Sequence, residues 1–236
     1  MPYIHIDTGY SFISPYSVMI LLSFIAGLIG QYLLNVKRGV GKNYARYLFA
    51  LGPLLSIAGG LLMTYITSKG ESFGLSSIGG LVGMYAAAVI MGLISRDRYG
   101  AKAMLDNCTL VLPLMYSVSK MGCFLGGCCF GVAYHGPFCV EYTGNGITDR
   151  CVFPVQLAET IVFLVIFIIG ISLERKRRRN TVFVVFMASA AAKFMLDFLR
   201  DSHTGCVISL NQIICLVMML GMLTVIAGKK MKKQPL

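Results

Sequence analysis

Seven apolar runs, at 15–34, 47–66, 76–94, 107–124, 155–173, 181–198 and 208–227, constrain this chain more than any other feature. A run of about twenty apolar residues is long enough to cross the hydrocarbon of a bilayer as an α-helix. In lipid only helices and closed barrels satisfy every backbone hydrogen bond, and these runs lack the alternation of barrel strands. Charge is scarce enough to agree, at 13% of residues, against roughly a quarter in soluble domains. The sequence therefore predicts an all-α integral membrane protein with about seven transmembrane helices. The fourth run is rich in Ser, Gly and Cys toward its end and is expected to break or half-emerge there. The segment before Pro15 carries no Lys or Arg and does not resemble a removable signal, so the first run reads as a retained span.

Basic residues set the orientation. Lys37, Arg38, Lys42 and Arg46, then Arg96, Arg98 and Lys102, then residues 175–179, then Lys229, Lys230, Lys232 and Lys233 fall on alternate connections and make up 16 of 21 Lys and Arg. By the positive-inside rule the amino terminus lies outside and the carboxyl terminus in the cytoplasm. The net charge of +11 is thus mainly membrane topology, and no nucleic-acid partner is expected. No linker divides the chain, so residues 1–236 read as a single transmembrane domain. Within it, residues 125–153 form a Cys- and Gly-rich extracytoplasmic loop, folded, with a short strand over 138–142 (FCVEY).

Of the eight cysteines, Cys123, Cys128, Cys129, Cys139, Cys151 and Cys206 lie at or beyond the outer surface, a compartment that permits disulfides. Cys139 with Cys151 would close the loop. Cys128 and Cys129 are adjacent and poorly placed to bond each other. The spacing C-x4-C-C matches no standard zinc pattern, so no metal is expected, and thiol chemistry stays open.

Ionisable groups in membrane helices are expensive and face a cavity, a partner or a substrate. Lys193, Asp197 and Arg200 share one face of the sixth span at i, i+4 and i+7. They read either as a self-neutralising cluster or as a basic recess for a phosphate, with Arg200 able to bind bidentately. Gln156 and Glu159 open the fifth span behind Pro154, Glu159 serving as a base or as the partner of Arg200 or Arg150. Lys120 either snorkels to the interface or completes a phosphate site. Asn211 and Gln212 suit polar glue between helices. The glycine pairs Gly59–Gly60 and Gly79–Gly80 suit close helix packing, the second pair equally a bound headgroup. Lys120, Arg150, Gln156, Glu159, Lys193, Arg200 and Gln212 come from different elements yet map to one side of the membrane.

Four stretches carry a family resemblance: residues 76–83 (SSIGGLVG), 119–131 (SKMGCFLGGCCFG), 153–159 (FPVQLAE), and 197–200 (DFLR) followed by 209–212 (SLNQ). In these the chain resembles the prolipoprotein diacylglyceryl transferases, multi-pass enzymes of the bacterial inner or plasma membrane. The resemblance implies transfer of a diacylglyceryl group from phosphatidylglycerol, or a related anionic lipid, to the cysteine thiol of a lipoprotein precursor, with release of glycerol phosphate and no cofactor. It assigns Arg200, Lys120, Glu159 and Gln156 to catalysis, and Gly79, Gly80, Arg150, Lys193, Asp197 and Gln212 to substrate binding. The chain departs from the family pattern in three places. Ile78 stands where the family has a histidine, Lys120 replaces an arginine, and Cys123, Gly126 and Cys128 replace asparagine-rich and acidic positions. A membrane enzyme for another lipid or thiol, and a small-molecule transporter or binder, are the alternatives.

Overall fold

Each apolar run forms a helix in the computed structural model, which describes residues 4–7, 14–70, 74–143, 151–178, 180–201 and 208–231. The helices are α1 (Pro15–Lys37), α2 (Lys42–Thr67), α3 (Ser77–Ser95), α4 (Arg98–Leu125), α5 (Val155–Arg175), α6 (Thr181–Asp197) and α7 (Leu210–Met231). Helices α1 to α5 are long and apolar enough to cross a membrane, while α6 has 17 residues. Large apolar side chains such as Leu33, Leu54, Leu93 and Leu220 stand exposed, the pattern of a bundle solvated by hydrocarbon rather than water. The architecture is that of a multi-pass helical membrane protein.

The helix ends follow local chemistry. Pro15 opens α1, where a missing N–H costs nothing. Gly39 (φ +78°) closes it, with Val40 N donating to Asn35 O at 3.0 Å and Gly39 N to Val36 O at 3.1 Å, a Schellman closure. Ser76 caps α3 by accepting from Gly79 N. Asp97 accepts from Tyr99 N at 2.9 Å and starts α4 well before the apolar run at 107. The early turns of α4 are polar but paired, Lys102 Nζ lying 2.6 Å from Asp106 and Arg38 Nη1 3.5 Å from it. The expected break near the end of this span is absent: α4 runs unbroken for 28 residues, about 42 Å at 1.5 Å per residue.

The chain divides into two compact units, Leu21–Tyr116 and Met1–Ile20 with Ser117–Leu236. In the first, α2 and α3 meet backbone to backbone. A Cβ on Gly79 would collide with Gly59 O and lie 2.6 Å from Met63 Cβ, and one on Gly83 would collide with Leu55 O. Small residues permit this approach. Leu48, Ala87, Ala88, Met91 and Met104 fill the adjoining core, and Leu28, Met84, Cys108, Val111 and Met115 fill another. Buried polar side chains there pair in part, Asn107 Nδ2 donating to Asn35 Oδ1 at 2.8 Å and Ser23 Oγ to Met115 O at 2.7 Å.

The second unit adds what an all-α expectation omits, a three-stranded sheet. Strand β2 (Val140–Thr143) pairs in parallel with β1 (Ile4–Asp7) and antiparallel with β3 (Cys151–Val152). The strand expected at 138–142 is thus present, starting two residues later and ending one later. Its partner β1 gave no sequence signal, being four residues long. Cys139 and Cys151 form the disulfide that closes the connection. Phe124, Val140, Tyr142 and Val152 make a buried cluster, against which Ile4, Ile6, Met121 and Leu157 pack. The sheet is therefore seated on the end of α4 and the start of α5.

Candidate functional site

The second unit gathers its charges at the end of α4, the start of α5 and the end of α6. Glu159, fully buried, lies between two lysines: Lys120 Nζ is 3.1 Å from Oε2 and Lys193 Nζ is 2.8 Å from Oε1. Lys193 Nζ also lies 3.8 Å from Asp197 Oδ1, and Arg200 Nη1 lies 3.7 Å from the same oxygen. Asp197 accepts from Ser209 Oγ, and from Asn211 Nδ2 at 3.5 Å. Charges out of water persist only when paired, and this chain of contacts sets each of these charges beside one of opposite sign. Among the described residues it gathers three cations and two carboxylates in a nearly closed environment. An anion is the chemical complement of such a site.

The expected partner Arg200 pairs with Asp197, while two lysines that were not expected as partners contact Glu159. Arg150, its other expected partner, lies outside the described residues, as do His203 and Cys206. Gln156 is fully buried and its Nε2 donates to Cys128 O at 2.8 Å, fixing the turn after α4. Gln212 has a local role. Its side-chain Oε1 accepts from Ser209 N at 2.9 Å, and its own N–H donates to Ser209 Oγ at 3.2 Å. These are the reciprocal bonds of a capping box, legible in the sequence as S-x-x-Q. Its Nε2 then reaches Phe194 O at 3.3 Å and ties α7 to α6. Ser209, overlooked as an individual residue, thus starts α7 and holds Asp197 at once. Gly79 and Gly80 belong to the other unit. The space a side chain would take at Gly79 is filled by Gly59, and Gly80 O accepts from Ser56 Oγ at 2.9 Å.

Three thiols adjoin the charges. Helix α4 ends in a Schellman closure with Gly127 (φ +60°) in the left-handed region and Cys128 N donating to Cys123 O at 3.1 Å. The side chains that flank such a closure normally make an apolar contact; here they are both cysteines. Cys129 follows at φ +58°, a conformation rare for a side-chain-bearing residue, and completes a group whose sulfurs all lie within 4.8 Å of one another. Interaction with the Cys123 and Cys128 thiols, helped by the charges of Lys120 and Arg200, holds the Cys129 thiol below its ordinary range. Arg200 is drawn to this turn by backbone pairing: Val132 N donates to Leu199 O and Asp201 N to Phe130 O, both at 3.0 Å. Gly131 makes the approach possible, since a Cβ there would collide with Phe153 O and lie 3.1 Å from Leu199 O. The cysteines' sequence spacing concealed this grouping because the turn, not the count of intervening residues, brings them together.

The profile of the family described as prolipoprotein diacylglyceryl transferase matches residues 4–227. The chain belongs to the prolipoprotein diacylglyceryl transferase family. Among curated members of the family, phosphatidylglycerol–prolipoprotein diacylglyceryl transferase 2 of Clostridium perfringens is 22% identical over 217 residues, covering 83% of this chain and 84% of its own. The phosphatidylglycerol–prolipoprotein diacylglyceryl transferase of Clostridium tetani is 26% identical over 204 residues, covering 80% and 82%. That of Dehalococcoides mccartyi strain 195 is 26% identical over 206 residues, covering 78% and 76%. The family match spans both units and every charged residue of the site.

Proposed function

We propose that this protein transfers a diacylglyceryl group from phosphatidylglycerol to the cysteine thiol of a lipoprotein precursor. Membership of the family supports the reaction, and the buried clustering of Lys120, Lys193 and Arg200 about two carboxylates is the observation that carries the site. In this reading Arg200, at the rim of the network, holds the lipid phosphate through its planar fork of donors. Lys120 and Lys193 stabilise the charge that grows on the departing glycerol phosphate as the carbon–oxygen bond breaks. Glu159 meets a lysine with each oxygen, and Asp197 meets Lys193 and Arg200, so the carboxylates position the cations rather than act on substrate. Gln156 shapes the turn beside them. Arg150 would add a cation.

The membrane is read as a bacterial inner or plasma membrane crossed seven times, amino terminus outside. The parallel pairing of β1 with β2 supports this, because it puts Ile4 and Val140 on one side with α1 to α4 between them, an even number of crossings.

The test is direct. Purified protein in nanodiscs is given phosphatidylglycerol labelled in headgroup and acyl chains, with a cysteine-bearing lipoprotein-precursor peptide. Equal amounts of lipidated peptide and released glycerol phosphate are expected, both falling at least about a hundredfold in Arg200→Ala, the scale of losing a preorganised charge contact at a developing anion. Lipid binding without transfer to the thiol would point to a different acceptor. Transfer unaffected by Arg200→Ala would remove this site from the reaction.

A further inference from the structure

Thiol transfer needs a thiolate, and the charged network does not generate one. Its carboxylates are engaged by lysines, arginine and Ser209. The three grouped cysteines offer another route. We infer that Cys123, Cys128 and Cys129 bind a thiophilic divalent cation of the zinc type, with an open fourth position that takes the acceptor thiol. The metal site stands on its own geometry; the role of the fourth position rests on the transferase reading.

The geometry is close to what such an ion requires. Sulfurs at about 2.3 Å from a tetrahedral zinc lie about 3.8 Å from one another, and these already lie within 4.8 Å. Small side-chain rotations suffice. The turn is built rather than incidental: Gly127 and Cys129 both adopt positive φ, and Gln156 Nε2 pins the Cys128 carbonyl at 2.8 Å. Such outer contacts orient metal ligands. Exposure is graded, Cys123 being buried, Cys128 intermediate and Cys129 exposed. The group is therefore closed on the helix side and open on the Cys129 side, where a fourth ligand can enter.

Charge also fits. Three thiolates around a divalent cation leave one negative charge, and a fourth thiolate leaves two. Lys120 and Arg200 act electrostatically on Cys129 and would offset part of that charge. A site with three protein ligands and one open position is the arrangement of catalytic rather than structural zinc.

Two other uses of these thiols fare worse. A direct attack by Cys129 on the glyceryl carbon would leave a thioether on the enzyme, a far poorer leaving group than phosphate, and turnover would end. A disulfide between the adjacent Cys128 and Cys129 meets a severe geometric restriction, and any internal disulfide leaves a third thiol over.

In the metal route the steps balance without a change of oxidation state. The acceptor thiol binds the ion and loses its proton to water, since a coordinated thiol is deprotonated outright. A sulfur lone pair then forms the bond to the glyceryl carbon as that carbon's bond to the phosphate oxygen breaks. The electron pair leaves with glycerol phosphate, and the neutral thioether, a weak ligand, departs.

Cobalt(II) is the probe. Full-length protein in nanodiscs is stripped by chelation and titrated with Co(II), reading the thiolate-to-cobalt charge-transfer band and metal content by mass spectrometry. One ion per chain is expected, with the band lost in Cys123→Ser, Cys128→Ser and Cys129→Ser and kept in Cys108→Ala. Where a serine variant fails to fold, thiol tagging of the unmutated protein serves: bound metal should shield these three cysteines together. Adding the acceptor peptide should shift the ligand-field bands, and its Cys→Ser counterpart should not. Stripped protein should lose transfer by about a hundredfold or more, the contribution of an activating base, and recover it with zinc.

No thiolate–cobalt band, or one retained in Cys129→Ser, overturns the metal site. Undiminished transfer by stripped protein overturns the acceptor role while the transferase reading stands. Cobalt bound at the three cysteines with no transfer in any metal state upholds the site and overturns both the acceptor role and the transferase reading.

Discussion

Replacing Glu159 by glutamine removes the one negative charge that lies between Lys120 and Lys193, at 3.1 and 2.8 Å, and leaves the amide of equal size in its place. Glu159 is fully buried and the side chains of both lysines are largely so, so water cannot substitute for the lost charge. Breaking one buried ion pair costs about 3–5 kcal/mol. Two contacts are broken here, but Asp197 retains part of the compensation for Lys193, so the loss should stay near the top of that range. For a chain of this length each kcal/mol shifts Tm by about 2–4 °C, which gives a drop of roughly 10–20 °C. The assay is thermal unfolding in a fixed detergent, followed by fluorescence of a thiol dye or by size exclusion after heating. Adding Lys193→Met to Glu159→Gln should restore at least about 2 kcal/mol, because the second uncompensated charge then disappears. Salt should alter these differences little, since buried pairs are weakly screened. A loss below about 1 kcal/mol, or no rescue by the double substitution, would refute the assignment of Glu159 as the counter-charge of both lysines, since surface-like pairs are worth only that much.

The remaining expectations concern packing, capping and the loop. Gly83→Ala should lower stability by about 2–3 kcal/mol in the same assay through overpacking, because its Cβ would collide with Leu55 O; a neutral result would mean that α2 and α3 do not touch backbone to backbone. Ser209→Ala should cost about 1–2 kcal/mol, removing the α7 cap and a partner of Asp197 together, while Ser209→Thr should recover most of it. Reducing the Cys139–Cys151 bond should cost about 3 kcal/mol on the loop-entropy scale. That loss should be absent in the Cys139→Ala/Cys151→Ala double variant, already destabilised by a similar amount.

Much of the fold was legible because lipid leaves so few choices. Pro15, Ser76 and Pro154 mark helix starts by local chemistry, and the helices begin there or one residue later. The start of α4 was not legible: Arg98, Lys102 and Asp106 look like loop residues until the pairing of Asp106 with Lys102 and Arg38 is known. Nor was β1, whose four residues become a strand only because β2 lies beside them. In the site, identities were legible and partners were not. Sequence offered Arg150 and Arg200 as partners of Glu159, and only the packing of α4, α5 and α6 brings Lys120 and Lys193 to it. The capping box at Ser209 and Gln212 was legible, though those residues also lie in a family motif, which favours a substrate reading over a local one. The cysteine group depends on the turn at Gly127, which spacing does not encode.

The parallel pairing of β1 with β2 also sets an order of events at the ribosome. Ile4 is made well before its partner Val140, which emerges roughly 140 residues later. At about 5–20 residues per second this is a wait of roughly 7–30 s, during which four helices are made and the amino-terminal strand has no partner. An unpaired strand edge is open to capture by other chains. Closing the sheet is therefore a late step of biogenesis, and a bulky fusion at the amino terminus should harm the last stage of folding while leaving insertion of the first helices intact.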